Sequence, residues 1–167
     1  MASQHKQGIN HGLTLGQIQE LMASAKIKAN LVVSELDASI TQVTFFDSKL
    51  STIIFMRYKG GAHYTCVYID GSEGIYYDST DRTDIPPELL KMYGGKDISH
   101  SSRWLQNNLQ TQQNHMCGHY CVAFIKFMNG KDISTVYKKL FHVLDFNNEF
   151  LGHSISKAER IFRELES

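Results

Sequence analysis

The stretch Gln110-Thr-Gln-Gln-Asn-His-Met-Cys-Gly-His-Tyr-Cys-Val-Ala-Phe-Ile-Lys-Phe-Met128 decides how the chain is read. It joins a polar, helix-poor loop to a run that is apolar almost throughout, and Cys117 stands at the junction. From Tyr120 to Met128 the only charge is Lys126. A run of this kind predicts a buried central helix rather than a surface one. Asn129-Gly130 supplies a C-terminal stop. Cys117 therefore heads the helix, where the macrodipole and unpaired backbone N–H groups favour a thiolate. A thiolate is the species that attacks a carbonyl carbon.

Upstream, the runs 52–58, 64–69 and 74–78 read as three strands. Gly60-Gly61-Ala62-His63-Tyr64 falls between the first two, so His63 leads the second strand. Asp70-Gly71 signals a hairpin. If those two residues form the turn, Ile69 pairs with Ser72 and His63 lies opposite Asp78 on one face of the sheet. A longer loop through Gly74 would instead bring Asp78 nearer Cys66. An imidazole beside a carboxylate has a fixed tautomer and a supported imidazolium. Asp70, Asp81 and Asp84 are rival acids.

Elsewhere, Thr14 and Gln17 form a capping box for a helix over 15–22. Pro86-Pro87 to Gly95 reads as a short helix with prolines at its start and glycines after it. Residues 101–109, around Trp104, read as a further strand, and 132–142 and 154–166 as amphipathic helices. The span 26–44 fits neither template. Together these predict an α+β fold, a mostly antiparallel central sheet packed against helices. The 167 residues suit one domain, 1–167, with 1–12 a flexible N-terminal segment.

Seventeen basic and seventeen acidic side chains leave no net charge, which argues against binding nucleic acid through bulk charge. Three cysteines suit a reducing compartment better than a disulfide framework. Cys66 and Cys121 read as core. No apolar run approaches the ~20 residues of a membrane span, and the polar start lacks a signal-peptide core, so a non-secreted chain is expected. His115, Cys117, His119 and Cys121 alternate, and on a strand could offer zinc one face, although structural zinc sites use separated Cys pairs. No metal is expected.

In their order His63, Asp78, Gln110, Cys117, these segments resemble the adenovirus-type (adenain-like) cysteine endopeptidases, relatives of the ubiquitin-like-protein deconjugating proteases. The likeness lies in Gly60-Gly61-Ala62-His63-Tyr64, in Tyr76-Tyr77-Asp78, in Gln110 seven residues before the cysteine, and in Cys117-Gly118-His119-Tyr120-Cys121. It covers roughly residues 50–128. The adenoviral branch carries Glu where this chain has Asp78, and the deconjugating branch places its glutamine where this chain has Thr111, so Gln112 and Gln113 rival Gln110.

The resemblance implies a catalytic Cys117, His63 and Asp78, with an oxyanion hole from Gln110, or Gln112, and the Cys117 backbone N–H. It implies a viral maturation protease, a compact member of the kind found in virophages and polinton-like elements. Its substrates would be capsid or core precursor polypeptides, cut in the virion and in the infected-cell cytoplasm or virus factory. A monomer with no cofactor needed for the chemistry is expected. Activation by DNA or by a disulfide-linked peptide is a family trait; the charge balance gives no support to the first, and the core placement of Cys66 and Cys121, the only spare cysteines, speaks against the second. A deconjugating protease and a non-catalytic interaction domain are the alternatives.

Overall fold

A computed structural model describes residues 13–38, 40–59, 61–79, 83–101 and 117–129. Among the described residues six strands form one sheet: β1 Asn30–Glu35, β2 Ile40–Gln42, β3 Thr52–Tyr58, β4 Gly61–Asp70, β5 Glu73–Tyr77 and β6 Asp97–His100. The α-helices of the described residues are α1 Leu15–Ser24, α2 Pro87–Met92 and α3 Cys117–Met128. The architecture is α+β, as the sequence predicts.

The sheet is mixed. Its order is β2-β1-β3-β4-β5-β6. The β1–β2, β3–β4 and β4–β5 ladders are antiparallel, whereas β1–β3 and β5–β6 are parallel. The parallel pairs are those with the longest connections, which contain β2 in one case and α2 in the other. Such long connections let the chain re-enter the sheet in the same direction.

Strands β3 and β4 lie at the centre and are covered on both faces. Ile53, Ile54, Met56, Cys66 and Val67 are all buried, so both strands appear as nearly continuous apolar runs. One face carries a core built from Ile18, Leu21 and Met22 of α1, Tyr64, Cys66 and Tyr77 of the sheet, and Tyr120, Cys121, Phe124 and Met128 of α3. On the other face Ile54, Met56, Val67 and Tyr76 pack against Leu89 and Tyr93 around α2.

The helix ends follow local chemistry. Thr14 Oγ1 accepts from Gln17 N at 3.2 Å and Gln17 Oε1 accepts from Thr14 N at 2.9 Å, which completes the capping box. α2 starts with Pro87 at its first position, where no N–H is needed.

The hairpin register differs from the predicted one. Asp70 pairs with Glu73 and Cys66 with Tyr77, so the turn residues are Gly71 and Ser72. Gly71 has a φ of +60° and no other residue of this turn is left-handed, the pattern of a type II′ turn, which takes glycine at its first central position. The ladder thus slips by two places, and Asp78 comes level with Thr65 instead of His63. A slip of two keeps every side chain on its face.

The helices predicted at 132–142 and 154–166 and nearly all of the strand predicted at 101–109 lie outside the described residues. Ser101, the one described residue of that strand, follows the end of β6.

Candidate active site

β5 ends at Tyr77, opposite Cys66, while β4 begins at Gly61. Residues 61–65 of β4 therefore overhang β5. In an antiparallel ladder alternate residues bond to alternate neighbours, so the Tyr64 N–H points to the side that β5 has vacated. Cys117 fills that position, its Sγ accepting from Tyr64 N at 3.4 Å. The thiol is thus held at a gap in the sheet by a backbone donor.

Three contacts shape the surroundings of this gap. Tyr77 stacks on Phe124, with centroids 4.3 Å apart and planes 10° from parallel, a pairing worth about 1 kcal/mol beyond its burial. The Tyr64 hydroxyl donates to the Leu13 carbonyl at 3.0 Å, tying the chain before α1 to β4. Gly118 lets the helix start pack closely. A Cβ there would sit 3.0 Å from Ile18 Cδ1, 3.1 Å from Leu13 Cδ1 and 3.2 Å from the Tyr64 ring. Gly118→Ala is expected to destabilise the fold by about 1–3 kcal/mol and to shift the neighbouring Cys117, as urea unfolding together with the Cys117 alkylation rate would measure.

His63 and Asp78 meet in spite of the register slip. His63 Nε2 lies 2.7 Å from Asp78 Oδ1. Two strand residues span about 7 Å, and diagonal neighbours on one face remain within reach of long side chains. The Asp78 side chain is fully buried and that of His63 is 12% exposed, so the pair is shielded from solvent. Cys117 is close enough to His63 to favour its charged form, through hydrogen bonding and charge. With Nε2 engaged by Asp78, Nδ1 is the ring nitrogen left for the thiol.

Burial alone would pull the His63 pKa down. The hydrogen bonds from Asp78 and Cys117, with their negative charge, more than reverse this and push it up to about 9. His63 is therefore an imidazolium at neutral pH. The folded-state pKa exceeds the ordinary value of 6.5, so the protonated ring stabilises the fold fully below pH 6.5 and the contribution fades as pH rises through 9. Urea unfolding between those limits should show a loss of about 2–3 kcal/mol that is absent in His63→Gln.

The other two cysteines are placed differently. Cys66 and Cys121 are wholly buried, while Cys117, also buried, keeps 7% of its surface exposed. Burial, with Cys66 beside it, pushes the Cys121 thiol well up. All three are free thiols. Among the described residues no three His, Cys, Asp or Glu side chains gather as metal ligands. Residues 117–121 form a helix, so the alternation that a zinc site would need does not put Cys117, His119 and Cys121 on one face. His115, Gln110, Gln112 and Gln113 lie outside the described residues, as does the rival acid Asp81. Of the candidate acids, Asp78 bonds His63, whereas Asp70 ends β4, at the opposite end of the strand from His63, and Asp84 precedes α2.

One contributor has no sequence signal. Thr83 donates to Asp78 Oδ2 twice, from its N–H at 2.8 Å and its hydroxyl at 2.7 Å. Its spacing from Asp78 matches no motif, and only the folded loop between β5 and α2 brings it there.

A buried carboxylate, an imidazolium and a thiol held by a backbone N–H at a helix start can together form and use a thiolate nucleophile. No helix among the described residues is long and apolar enough to cross a membrane. No protein-family model matches the chain, and no curated protein matches it.

Proposed function

We propose that the protein is a cysteine endopeptidase in which Cys117 is the nucleophile, His63 the general acid–base and Asp78 the group that orients His63. The observation that carries this reading is the convergence of three residues from separate elements on the gap beyond β5: Cys117 from α3, His63 from β4 and Asp78 from the end of β5.

In this mechanism the Cys117 thiolate attacks the scissile carbonyl carbon and the His63 imidazolium gives its proton to the leaving amine. Neutral His63 then takes a proton from water, which hydrolyses the thioester and releases Cys117. The Cys117 backbone N–H donates to the carbonyl oxygen as it gains charge, and Gln110, or Gln112, supplies the second donor. Removing one such donor typically costs ~10²–10³ in rate.

The order and spacing of the motifs, which resemble adenain-like proteases, support virion precursor polypeptides as the substrate class. Precursors mixed with the purified protein should be cut, with inhibition by thiol alkylators and indifference to chelators. If ubiquitin-like precursors are processed and virion precursors are not, the deconjugating reading replaces this one. If neither is cut and alkylators find no reactive thiol, the protein is a binding domain.

A further inference from the structure

Asp78 is tied into a network that reaches the neighbouring strand β6, and Thr83 is its hub. The Thr83 hydroxyl donates to Asp78 Oδ2 at 2.7 Å, so its oxygen is left to accept from the Tyr76 hydroxyl, also at 2.7 Å. The Thr83 N–H donates to the same carboxylate oxygen at 2.8 Å. The Thr83 carbonyl accepts from His100 Nε2 at 2.8 Å, which anchors the loop to β6. The His100 ring in turn rests against Tyr76, with centroids 5.3 Å apart. Every polar group of Thr83 is thus engaged, and two of them hold one oxygen of Asp78 while the other oxygen faces His63.

We infer that Thr83 is a positioning residue of the proposed hydrolytic site: with Tyr76 and His100 behind it, it locks the Asp78 carboxylate so that His63 keeps a proton on Nε2 and presents Nδ1 to Cys117. The inference rests on the endopeptidase reading. The Thr83 hydroxyl is one of the donors that fix the angle of this carboxylate about its side-chain bonds. A turned carboxylate would let the neutral ring take the opposite tautomer, with Nδ1–H facing the sulfur. In that tautomer Nδ1 cannot accept a proton from the thiol or from the water that hydrolyses the thioester. A hydrogen bond to a charged group is strong enough to select between such states. A mere loop-stabilising role for Thr83 would leave the tautomer untouched.

The test compares wild type, Thr83→Val and Thr83→Ser. Valine keeps the shape and the backbone N–H but loses the hydroxyl, and serine restores it. ¹⁵N NMR of the His63 ring, recorded at about pH 10 where the ring is neutral, reads the tautomer directly. Wild type and Thr83→Ser should show the Nε2–H form alone, and Thr83→Val a mixture of both forms. Hydrolysis by Thr83→Val should fall about tenfold in kcat with KM unchanged, and Thr83→Ser should recover it. Should valine prevent folding, Thr83→Ala carries the same test. A pure Nε2–H tautomer in the folded valine or alanine variant overturns the role of Thr83. The NMR readout does not depend on Cys117 being a nucleophile, so an unreactive wild-type Cys117 would instead overturn the endopeptidase reading.

Discussion

Cys117→Ser should abolish hydrolysis, by ~10⁴-fold or more, while the fold is kept. Serine is nearly isosteric, and its hydroxyl can take the position of the sulfur beside the Tyr64 N–H. What changes is the proton. At neutral pH His63 is already an imidazolium, with a pKa of about 9, and an imidazolium is no base. A thiol can ionise against it, because thiol acidity lies near that of the ring. A serine hydroxyl ionises only at far higher pH and would need neutral His63 to remove its proton in the transition state. The geometry therefore suits sulfur and fails for oxygen. Loss of the sulfur's hydrogen bond and charge should also lower the His63 pKa, because both help to raise it. Peptide hydrolysis and an NMR titration of His63 measure the two effects on the same variant. A serine variant that retains a tenth of the wild-type rate would contradict the mechanism.

Asp78→Asn should cost about as much, ~10⁴-fold in kcat, the loss typical when the orienting carboxylate of a nucleophile–His–acid site becomes an amide. The two Thr83 donors demand an acceptor at the Oδ2 position, so the asparagine oxygen will settle there. Its NH₂ group must then face His63 Nε2. An imidazolium cannot remain opposite that donor, since both of its nitrogens carry protons. His63 should become neutral, accept from the asparagine at Nε2 and hold its proton on Nδ1 toward Cys117. The variant should thus lose both the imidazolium that pairs with the thiolate and the nitrogen that takes the proton. Kinetics on a peptide substrate, with the His63 tautomer read by NMR, would check both parts. Near-normal kcat with an Nδ1–H ring would remove Asp78 from the mechanism.

The parts of the fold that the sequence makes legible are those where one physical demand dominates. α3 is buried from Cys117 to Ile125, and its apolar run says so. β3 and β4 are covered on both faces and read as unbroken apolar stretches. The Thr14–Gln17 box and the Pro86-Pro87 start are local chemistry, and both appear where predicted. β1 was illegible because its polarity runs against its burial. Asn30 and Ser34 are buried while Leu31 and Val33 are half-exposed. Asn30 is inside because its side chain is satisfied there: it donates to the Asp47 carbonyl at 2.9 Å and accepts from the Asp47 N–H at 3.0 Å. β6 has four residues and a single aliphatic side chain, Ile98, too little for a pattern. The parallel ladders depend on long connections, which local sequence does not specify.

The candidate site was legible in part for a related reason. His63 and Asp78 belong to one hairpin, and a two-place slip preserves their shared face, so their pairing survived an incorrect turn. Cys117 was marked by the break between polar loop and apolar helix. Thr83 carries no such mark, since its contacts exist only once β5, β6 and the intervening loop are in place.

The most direct test of the Cys117–His63–Asp78 arrangement is site-resolved alkylation by iodoacetamide at about pH 6, where an ordinary thiol is almost wholly protonated. Wild type and His63→Ala would be compared by mass spectrometry of the modified peptides. Cys117 should react quickly and alone, Cys66 and Cys121 should stay unmodified in the folded protein, and His63→Ala should slow Cys117 by at least tenfold. If Cys117 reacts no faster than an ordinary thiol, or if its rate is indifferent to His63, the pair is not a thiolate and imidazolium and the account is wrong.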